Sequence, residues 1–348
     1  MTITSQEIIS AKDNSAAKAL NNYRNPQYIQ GFNAHPERKN LLDAATRRTD
    51  LTPSIGTELE GLQLAKLTDA QLEDLLALIA ERGVVFLRDQ ELDRDNQVAF
   101  GRRLGELHIH PFVPTPNSYP EIVIPSAVTT SKQTLGDLYR KGTWHTDISF
   151  EEQPASFSIL QLKEVPVTGG DTLWSNSYAL YDKLSPEFQQ FLDGLTGIHS
   201  GELFLKLSEV SGQPLSRDIP INTEHPLVRT NPLTNQKGLF VNSVFTKAIK
   251  ELHPIESDVV LNFLFEHLLR SHEAQVRWRW TPNSVAIWDN RSTQHNATGD
   301  YYPYARHGER VTVLGEKPYF ASSSVTEAEV KAPQVEALLA KLNIDQSK

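Results

Sequence analysis

The spacing of apolar residues first predicts an amphipathic helix shortly after Thr68. Four leucine and isoleucine residues recur at the three- and four-residue intervals that share one helix face: Leu72, Leu75, Leu76 and Ile79. Thr68 and Gln71 have the spacing of a capping box, and Gly83 follows the last apolar position. We therefore expect a helix that begins after Thr68 and ends before Gly83.

Short apolar segments further along the chain carry the pattern of β-strands. Those that read as buried strands are 84–87, 157–162, 285–288 and 311–314. Residues 276–280 alternate apolar and polar side chains, as expected of a half-buried strand. Helical patterns interrupt the strands near 95–104, 185–195 and 255–269. The order of elements predicts one domain with a β-rich core and helices packed outside it.

The first part of the chain lacks these patterns. Residues 1 to about 50 are polar, rich in Asn, Lys and Arg, and only weakly periodic. We interpret them as an irregular extension on the surface or at a subunit contact, so a homo-oligomer is a possible assembly. Residues 51–348 are expected to form the single folded domain.

Composition narrows the classes of protein that fit. The 348 residues carry a net charge of −9, so the basic footprint of a nucleic-acid-binding protein is absent. There is no cysteine, which excludes disulfides, iron–sulfur clusters and thiolate zinc sites and suits a cytoplasmic location. No apolar run is long enough to span a bilayer. A bound metal would need His, Asp or Glu ligands.

One short motif offers such ligands. His145 and Asp147 are two residues apart, so in an extended segment both side chains reach one ion. His295 is expected in a loop that follows the strand at 285–288 and could supply a third ligand. Two imidazoles and one carboxylate leave coordination positions open, as in non-haem Fe(II) proteins. A zinc hydrolase can use the same ligand types, and a non-catalytic binding protein is a further alternative.

Several longer blocks of sequence, in the same order as in a known family, are more specific evidence of function than this short motif. Over residues 52 to 320 the chain resembles the taurine / 2-oxoglutarate dioxygenase family (the TauD/TfdA group). The blocks that carry the resemblance are 84–90, 105–111, 144–147, 168–174, 276–280 and 288–291. The resemblance implies an α+β fold with a mainly β core, namely a double-stranded β-helix (a cupin-like jelly roll) with helical insertions. It implies a 2-oxoglutarate-dependent dioxygenase.

The resemblance also implies roles for individual residues around the metal. The family's Fe(II) ligands correspond to His145, Asp147 and His295. Its 2-oxoglutarate site corresponds to Thr172 and Arg306, and O2 is the second cosubstrate. The planar guanidinium of an arginine suits the distal carboxylate of 2-oxoglutarate, and a threonine hydroxyl can add one hydrogen bond.

The substrate site follows from the same resemblance. An anionic group would be held by Arg310 and His110, with the backbone N–H of Ile148 nearby. Residues 112–113 and 141–143 differ from the family at the other end of the pocket. We therefore expect a small anionic substrate, with an alkylsulfonate or sulfate ester first. A small carboxylic or amino acid that is hydroxylated, desaturated or cyclised in biosynthesis is the alternative.

Overall fold

The computed structural model describes residues 34–125, 143–301 and 303–341. The first 33 residues of the expected extension, and residues 141–142 of the altered segment, lie outside these ranges. The helices within the described residues are α1 (Lys39–Leu42), α2 (Asp69–Arg82), α3 (Arg94–Leu104), α4 (Ser177–Asp182), α5 (Pro186–Leu192), α6 (Glu202–Ser211), α7 (Pro254–Arg270) and α8 (Glu327–Lys341). Short 3-10 helices cover Leu64–Lys66 and His272–Ala274.

The strands fall into one large sheet and three small ones. In chain order they are β1 (Arg47–Asp50), β2 (Thr57–Glu60), β3 (Val84–Leu87), β4 (Ile122–Val123), β5 (Ala155–Glu164), β6 (Thr172–Asn176), β7 (Thr196–His199), β8 (Thr223–Pro226), β9 (Val228–Thr230), β10 (Lys237–Leu239), β11 (Thr246–Ile249), β12 (Gln275–Trp278), β13 (Ser284–Asp289), β14 (Thr293–Ala297) and β15 (His307–Leu314). The large sheet has the order β1-β2-β3-β13-β5-β15-β4, and only its β2–β3 pair is parallel. The small sheets are β12-β6-β14, β11-β7-β8 and β10-β9.

The capping box predicted before α2 is confirmed. The Thr68 side chain accepts a hydrogen bond from the Gln71 backbone N–H, and the Gln71 side chain accepts one from the Thr68 N–H. These two bonds satisfy amide groups that the first helical turn leaves without partners. Gly83 takes a positive φ of 73° directly after the helix, so the chain turns at once into β3.

Both faces of the large sheet are buried against other parts of the molecule. Side chains of α2 and α3 pack on one face, in a cluster that includes Val85, Phe157 and Ile159. The opposite face meets the β12-β6-β14 sheet through a second cluster. That cluster includes Phe86, Trp174 and Trp288. Because side chains alternate along a strand, Ser158 of β5 points to this second, inner face.

The sequence-predicted strands and helices are present, with small differences at their ends. The segments at 84–87, 157–162, 285–288 and 311–314 all lie in strands of the large sheet. The strand predicted over 276–280 ends at Trp278, although the alternation continues: Val276, Trp278 and Trp280 are buried, whereas Arg277 and Arg279 are exposed. None of the helices among the described residues is long and apolar enough to cross a membrane.

The prediction that the chain is irregular up to about residue 50 is wrong for residues 47–50. Arg47–Asp50 forms β1, which pairs with β2 in antiparallel register at one edge of the large sheet. The strand has no apolar residue, and its side chains are mostly exposed. An edge strand of this kind is held by backbone hydrogen bonds to one neighbour, so apolar patterning does not reveal it.

Candidate active site

The three predicted metal ligands, His145, Asp147 and His295, lie close together in the structure. His145 and His295 exchange backbone hydrogen bonds, with N···O distances of 3.0 and 2.9 Å. His295 therefore lies in a strand, β14, and the prediction that it lies in a loop is wrong. The β14 strand is paired with β6, which places His295 opposite Trp174 in the small sheet.

The ligand atoms of this triad are spaced for one ion. Nε2 of His145 and Nε2 of His295 each lie 3.7 Å from Oδ1 of Asp147, and the three groups lie within 4.8 Å of one another. A separation of 3.7 Å is less than two metal–ligand bonds of about 2.0–2.2 Å, so one ion can contact both atoms. The three residues can thus hold a metal ion.

The protonation of the two imidazoles also fits a metal. His145 Nδ1 lies 2.7 Å from the Thr143 carbonyl oxygen, which can only accept, so Nδ1 donates a proton there and Nε2 is the nitrogen left to face a metal. Burial, followed by the charge of His145, holds the pKa of His295 well below its ordinary value. A neutral imidazole is the form that binds a metal.

The carboxylate of Asp147 is held on both oxygens. Oδ2 accepts a hydrogen bond from the Ser158 hydroxyl at 2.7 Å, and Oδ1 accepts one from Nη1 of Arg310 at 2.6 Å. Burial alone would raise the pKa of Asp147, but the charge of Arg310 and the interactions with His295 and His145 together outweigh burial, so the net effect lowers this pKa far below its ordinary value. Asp147 is therefore an anion at neutral pH.

Arg306 and Thr172, expected at the cosubstrate site, are in direct contact. Arg306 donates from Nε to the Gly170 carbonyl at 2.9 Å and from Nη2 to Oγ1 of Thr172 at 3.3 Å. The Trp280 indole N–H donates to the same Oγ1 at 3.0 Å. Since Oγ1 then accepts twice, the Thr172 hydroxyl hydrogen remains to be donated. The pair thus offers a guanidinium and a hydroxyl donor side by side.

A glycine pair makes the Arg306 contact possible. Gly169 and Gly170 have φ values of 76° and 69°, a region that side-chain-bearing residues rarely adopt. A Cβ on Gly169 would lie 2.6 Å from the Asp300 carbonyl oxygen, and one on Gly170 would lie 3.1 Å from Cδ of Arg306. The turn before β6 therefore needs glycine at both positions to present the Gly170 carbonyl to Arg306.

The two histidines of the His-x-His segment differ in their surroundings. Nδ1 of His110 accepts backbone hydrogen bonds from Phe112 and Val113 at 3.1 and 3.0 Å. Its proton is therefore on Nε2, and burial holds its pKa well below its ordinary value. His108 instead lies 3.3 Å from Oε1 of Glu151. His110 is thus a neutral N–H donor, whereas His108 belongs to a buried polar cluster.

Ile148, expected to offer its N–H, has an unusual backbone. Its φ of 46° is rare for a β-branched residue, and such strain costs about 1–3 kcal/mol. The side chain is 3% exposed and packs in a cluster with Phe150, Phe245 and other apolar residues. This packing holds the turn directly after Asp147 in place.

An aromatic wall adjoins the histidines. The ring centroids of His110 and Phe204 are 4.7 Å apart, and those of His145 and Phe245 are 6.1 Å apart. Phe150 contacts both phenylalanines, at 5.5 and 5.1 Å between centroids. His110 and His145 therefore have apolar neighbours in addition to charged ones.

Three further residues contact the predicted site residues, and no role was predicted for them from the sequence: Ser158, Asn290 and Trp280. Ser158 is one of two polar residues, with Gln161, in the otherwise apolar segment 157–162, and this interruption of the apolar pattern was the available signal. Asn290 and Trp280 lie within blocks that carried the family resemblance. Their contacts depend on strand pairing between distant parts of the chain, so their partners could not be read from the sequence.

Comparisons with known proteins agree with this arrangement. The sequence model of the taurine catabolism dioxygenase TauD, TfdA family matches residues 47–312, more than half of the chain. An alpha-ketoglutarate-dependent sulfonate dioxygenase of Saccharomyces cerevisiae is 39% identical over 276 residues, which are 77% of this chain and 66% of the yeast protein. An alpha-ketoglutarate-dependent sulfate ester dioxygenase of Pseudomonas putida is 35% identical over 274 residues, or 76% of this chain and 88% of that protein.

A solved structure extends the similarity to the fold. The crystal structure of a taurine dioxygenase from Burkholderia xenovorans superposes with a TM-score of 0.67 at 32% identity. The match covers 80% of this chain and 94% of that chain. The similarity therefore spans most of both molecules.

Proposed function

Because this chain belongs to the taurine catabolism dioxygenase TauD, TfdA family, we propose that it oxidises a C–H bond of a small organosulfonate or sulfate ester. The protein is a 2-oxoglutarate-dependent non-haem iron dioxygenase, and succinate and CO2 are its co-products. Alpha-ketoglutarate in the names of its relatives is another name for 2-oxoglutarate. The observation that carries the substrate class is the presence of two donors near Asp147, the half-buried Arg310 and the buried His110.

The assignment of the metal site rests on the donor set. We propose that His145 and His295 bind Fe(II) through Nε2, and that Asp147 binds it through a carboxylate oxygen. Bound iron, with 2-oxoglutarate and O2, supplies the oxidising power that breaks the substrate C–H bond and hydroxylates the carbon. The Thr143 carbonyl orients the His145 ring, and the nearby Arg310 helps to keep Asp147 ionised. The protein thus presents two imidazole nitrogens and one carboxylate anion to the metal.

The cosubstrate assignment rests on Arg306 and Thr172. Arg306 is oriented by the Gly170 carbonyl, and its guanidinium can pair with the distal carboxylate of 2-oxoglutarate. The Thr172 hydroxyl adds one donor to the same carboxylate. A permanent positive charge in a partly buried position favours an anion there over water.

The substrate assignment rests on charge and apolar surface together. Arg310 and the Nε2–H of His110 can donate to sulfonate or sulfate oxygens, and the N–H of Ile148 is proposed to assist them. The aromatic wall of Phe150, Phe204 and Phe245 suits an alkyl group next to that anion. Hydroxylation at the carbon that bears the sulfur group or the sulfate ester then yields an aldehyde and releases sulfite or sulfate.

The finer description of the fold is also a proposal. We propose that the large sheet and the β12-β6-β14 sheet form the two layers of a jelly roll. Support comes from the cluster of Phe86, Trp174, Trp278 and Trp288 that fills the space between the sheets. Both sheets are antiparallel in this region, and both contribute residues to the triad or to its support.

Product formation across a matched panel tests the substrate class. Alkylsulfonates, alkyl sulfate esters, carboxylic acids and amino acids of equal chain length are incubated with Fe(II) and 2-oxoglutarate, and succinate, aldehyde and inorganic sulfur products are measured. We expect aldehyde and sulfite or sulfate in equal amounts to succinate for a sulfonate or sulfate ester. Coupled product from carboxylic or amino acids alone would overturn the substrate class and leave the dioxygenase chemistry intact.

A further inference from the structure

The two oxygens of Asp147 have different surroundings. Oδ1 lies 3.7 Å from Nε2 of both imidazoles, so it is the oxygen that faces the centre of the triad. Oδ2 lies 2.7 Å from the Ser158 hydroxyl. The carboxylate is therefore oriented with one oxygen toward the triad and the other toward β5.

The direction of each hydrogen bond behind Asp147 can be assigned from chemistry. Oδ1 of Asn290 lies 3.2 Å from the Asp147 backbone N and 3.0 Å from the Trp288 indole N, and both of these groups only donate. This contact fixes the orientation of the Asn290 amide, so its Nδ2 is the atom that donates to Oγ of Ser158 at 2.9 Å. Ser158 accepts from Asn290, and its own hydrogen must point to Oδ2 of Asp147.

Water has little access to this chain of hydrogen bonds. Ser158 and Asn290 are fully buried, Trp288 is 1% exposed and Asp147 is 2% exposed. In such surroundings a hydrogen bond to a charged oxygen is stronger than at the surface, and a lost one is not replaced by solvent. The network also holds Asp147 at two points, because Asn290 binds its backbone and Ser158 binds its side chain.

We propose that Ser158, fixed by Asn290, is a positioning residue that reserves Oδ2 so that Asp147 offers the metal only Oδ1. The proposal rests on the metal site proposed above. Two imidazoles and one carboxylate oxygen leave positions for 2-oxoglutarate and O2, whereas a second oxygen from Asp147 would occupy one of them. Ser158 thus orients the ligand and keeps the metal accessible.

Metal affinity tests this role without catalysis. Mn(II), which prefers the same nitrogen and oxygen ligands and is stable in air, is titrated into metal-free protein and the dissociation constant is measured. Loss of a hydrogen bond that orients a ligand typically weakens metal binding about 10–100-fold, and we expect this range for Ser158→Ala. Asn290→Asp replaces the donating Nδ2 by an oxygen that draws the Ser158 hydrogen away from Asp147, so it is expected to weaken binding as well.

The strand provides a matched control. Ser156 is also fully buried on β5, but its hydroxyl donates to the Val313 and Leu314 carbonyls. Ser156→Ala should therefore bind Mn(II) as the wild type does, even if its free energy of unfolding falls. Wild-type affinity in Ser158→Ala, or an equal loss in Ser156→Ala, would overturn the positioning role.

Asp147→Ala separates this inference from the proposed function. If Mn(II) binding is insensitive to Asp147→Ala, the metal site itself is wrong and the positioning role is overturned with it. If Asp147→Ala abolishes binding while Ser158→Ala binds normally, the metal site stands and only the positioning role is overturned.

Discussion

Nη1 of Arg310 lies 2.6 Å from Oδ1 of Asp147, the same oxygen that faces Nε2 of His145 and His295. Arg310, the arginine proposed to bind the substrate, and the triad are therefore one electrostatic unit. A guanidinium has further donors beyond the one used here, so Arg310 can contact Asp147 and a substrate anion together. In the proposed site, this arrangement would couple the position of the substrate anion to the orientation of the carboxylate.

The first prediction concerns this shared arginine. Arg310→Lys keeps the charge but loses the planar fork, so one of two charge-assisted contacts should be lost. Hydrogen bonds to charged groups contribute about 1.5–3 kcal/mol, so the apparent KM for substrate should rise about tenfold or more, and that for 2-oxoglutarate much less. The ratio of substrate consumed to succinate formed should also fall, because the C–H bond is less well placed. An unchanged ratio would remove Arg310 from the substrate site.

The cosubstrate site gives the second prediction. Arg306→Ala removes one partner of a buried charge pair, which costs about 2–5 kcal/mol, so the apparent KM for 2-oxoglutarate should rise roughly 30-fold or more. Arg277→Ala is the matched control, because this arginine is exposed on the neighbouring strand β12 and pairs with Asp171. Titration of 2-oxoglutarate measures both variants. An equal change in the two would argue against a specific role for Arg306.

The third prediction tests the triad. His295→Ala should abolish both metal binding and succinate formation, since two remaining ligands hold the ion poorly. The exposed His272→Ala should retain both activities. Circular dichroism of the metal-free proteins checks that the fold survives. Succinate formation at the wild-type rate in His295→Ala would refute the ligand assignment.

A fourth prediction concerns the buried His225 under the active-site turn. Burial, followed by the charge of Arg229, lowers the pKa of His225 from 6.5 to about 4. Between pH 6.5 and 4 the unfolded chain therefore binds more protons at this residue, so its contribution to stability falls as the pH falls. His225→Gln cannot titrate. The difference in free energy of unfolding between wild type and variant, measured by urea denaturation, should shrink over this range; a constant difference would contradict the assignment.

The helix α2 shows what the sequence could predict. Its capping box, apolar face and terminal glycine are all local, and each was found where the pattern placed it. The pair of His145 and Asp147 could equally be predicted from the sequence, because their two-residue spacing alone places both side chains on one side of an extended segment. Local spacing thus predicted both the regular elements and two of the three candidate metal ligands.

The strand β14 shows why the rest could not be predicted. Its residues Thr293–Ala297 are largely polar, yet three of the five are buried, since the strand supplies His295 to the site and pairs with β6. A strand that serves a polar site lacks the apolar signal by which strands are recognised. The contact of Ser158 with Asp147 could not be predicted either, because it depends on how the two segments pack in the folded chain.

The short strand β1 has a consequence for the surface of the large sheet. Arg47, Arg48 and Asp50 belong to the edge strand of the large sheet, which has no further strand beside it among the described residues and whose backbone groups could template another chain. Charged side chains on such an edge must lose water and counter-ions before a further strand can add, which disfavours the addition. The charged residues of β1, which has no apolar side chain, thus disfavour β-aggregation at this edge of the sheet.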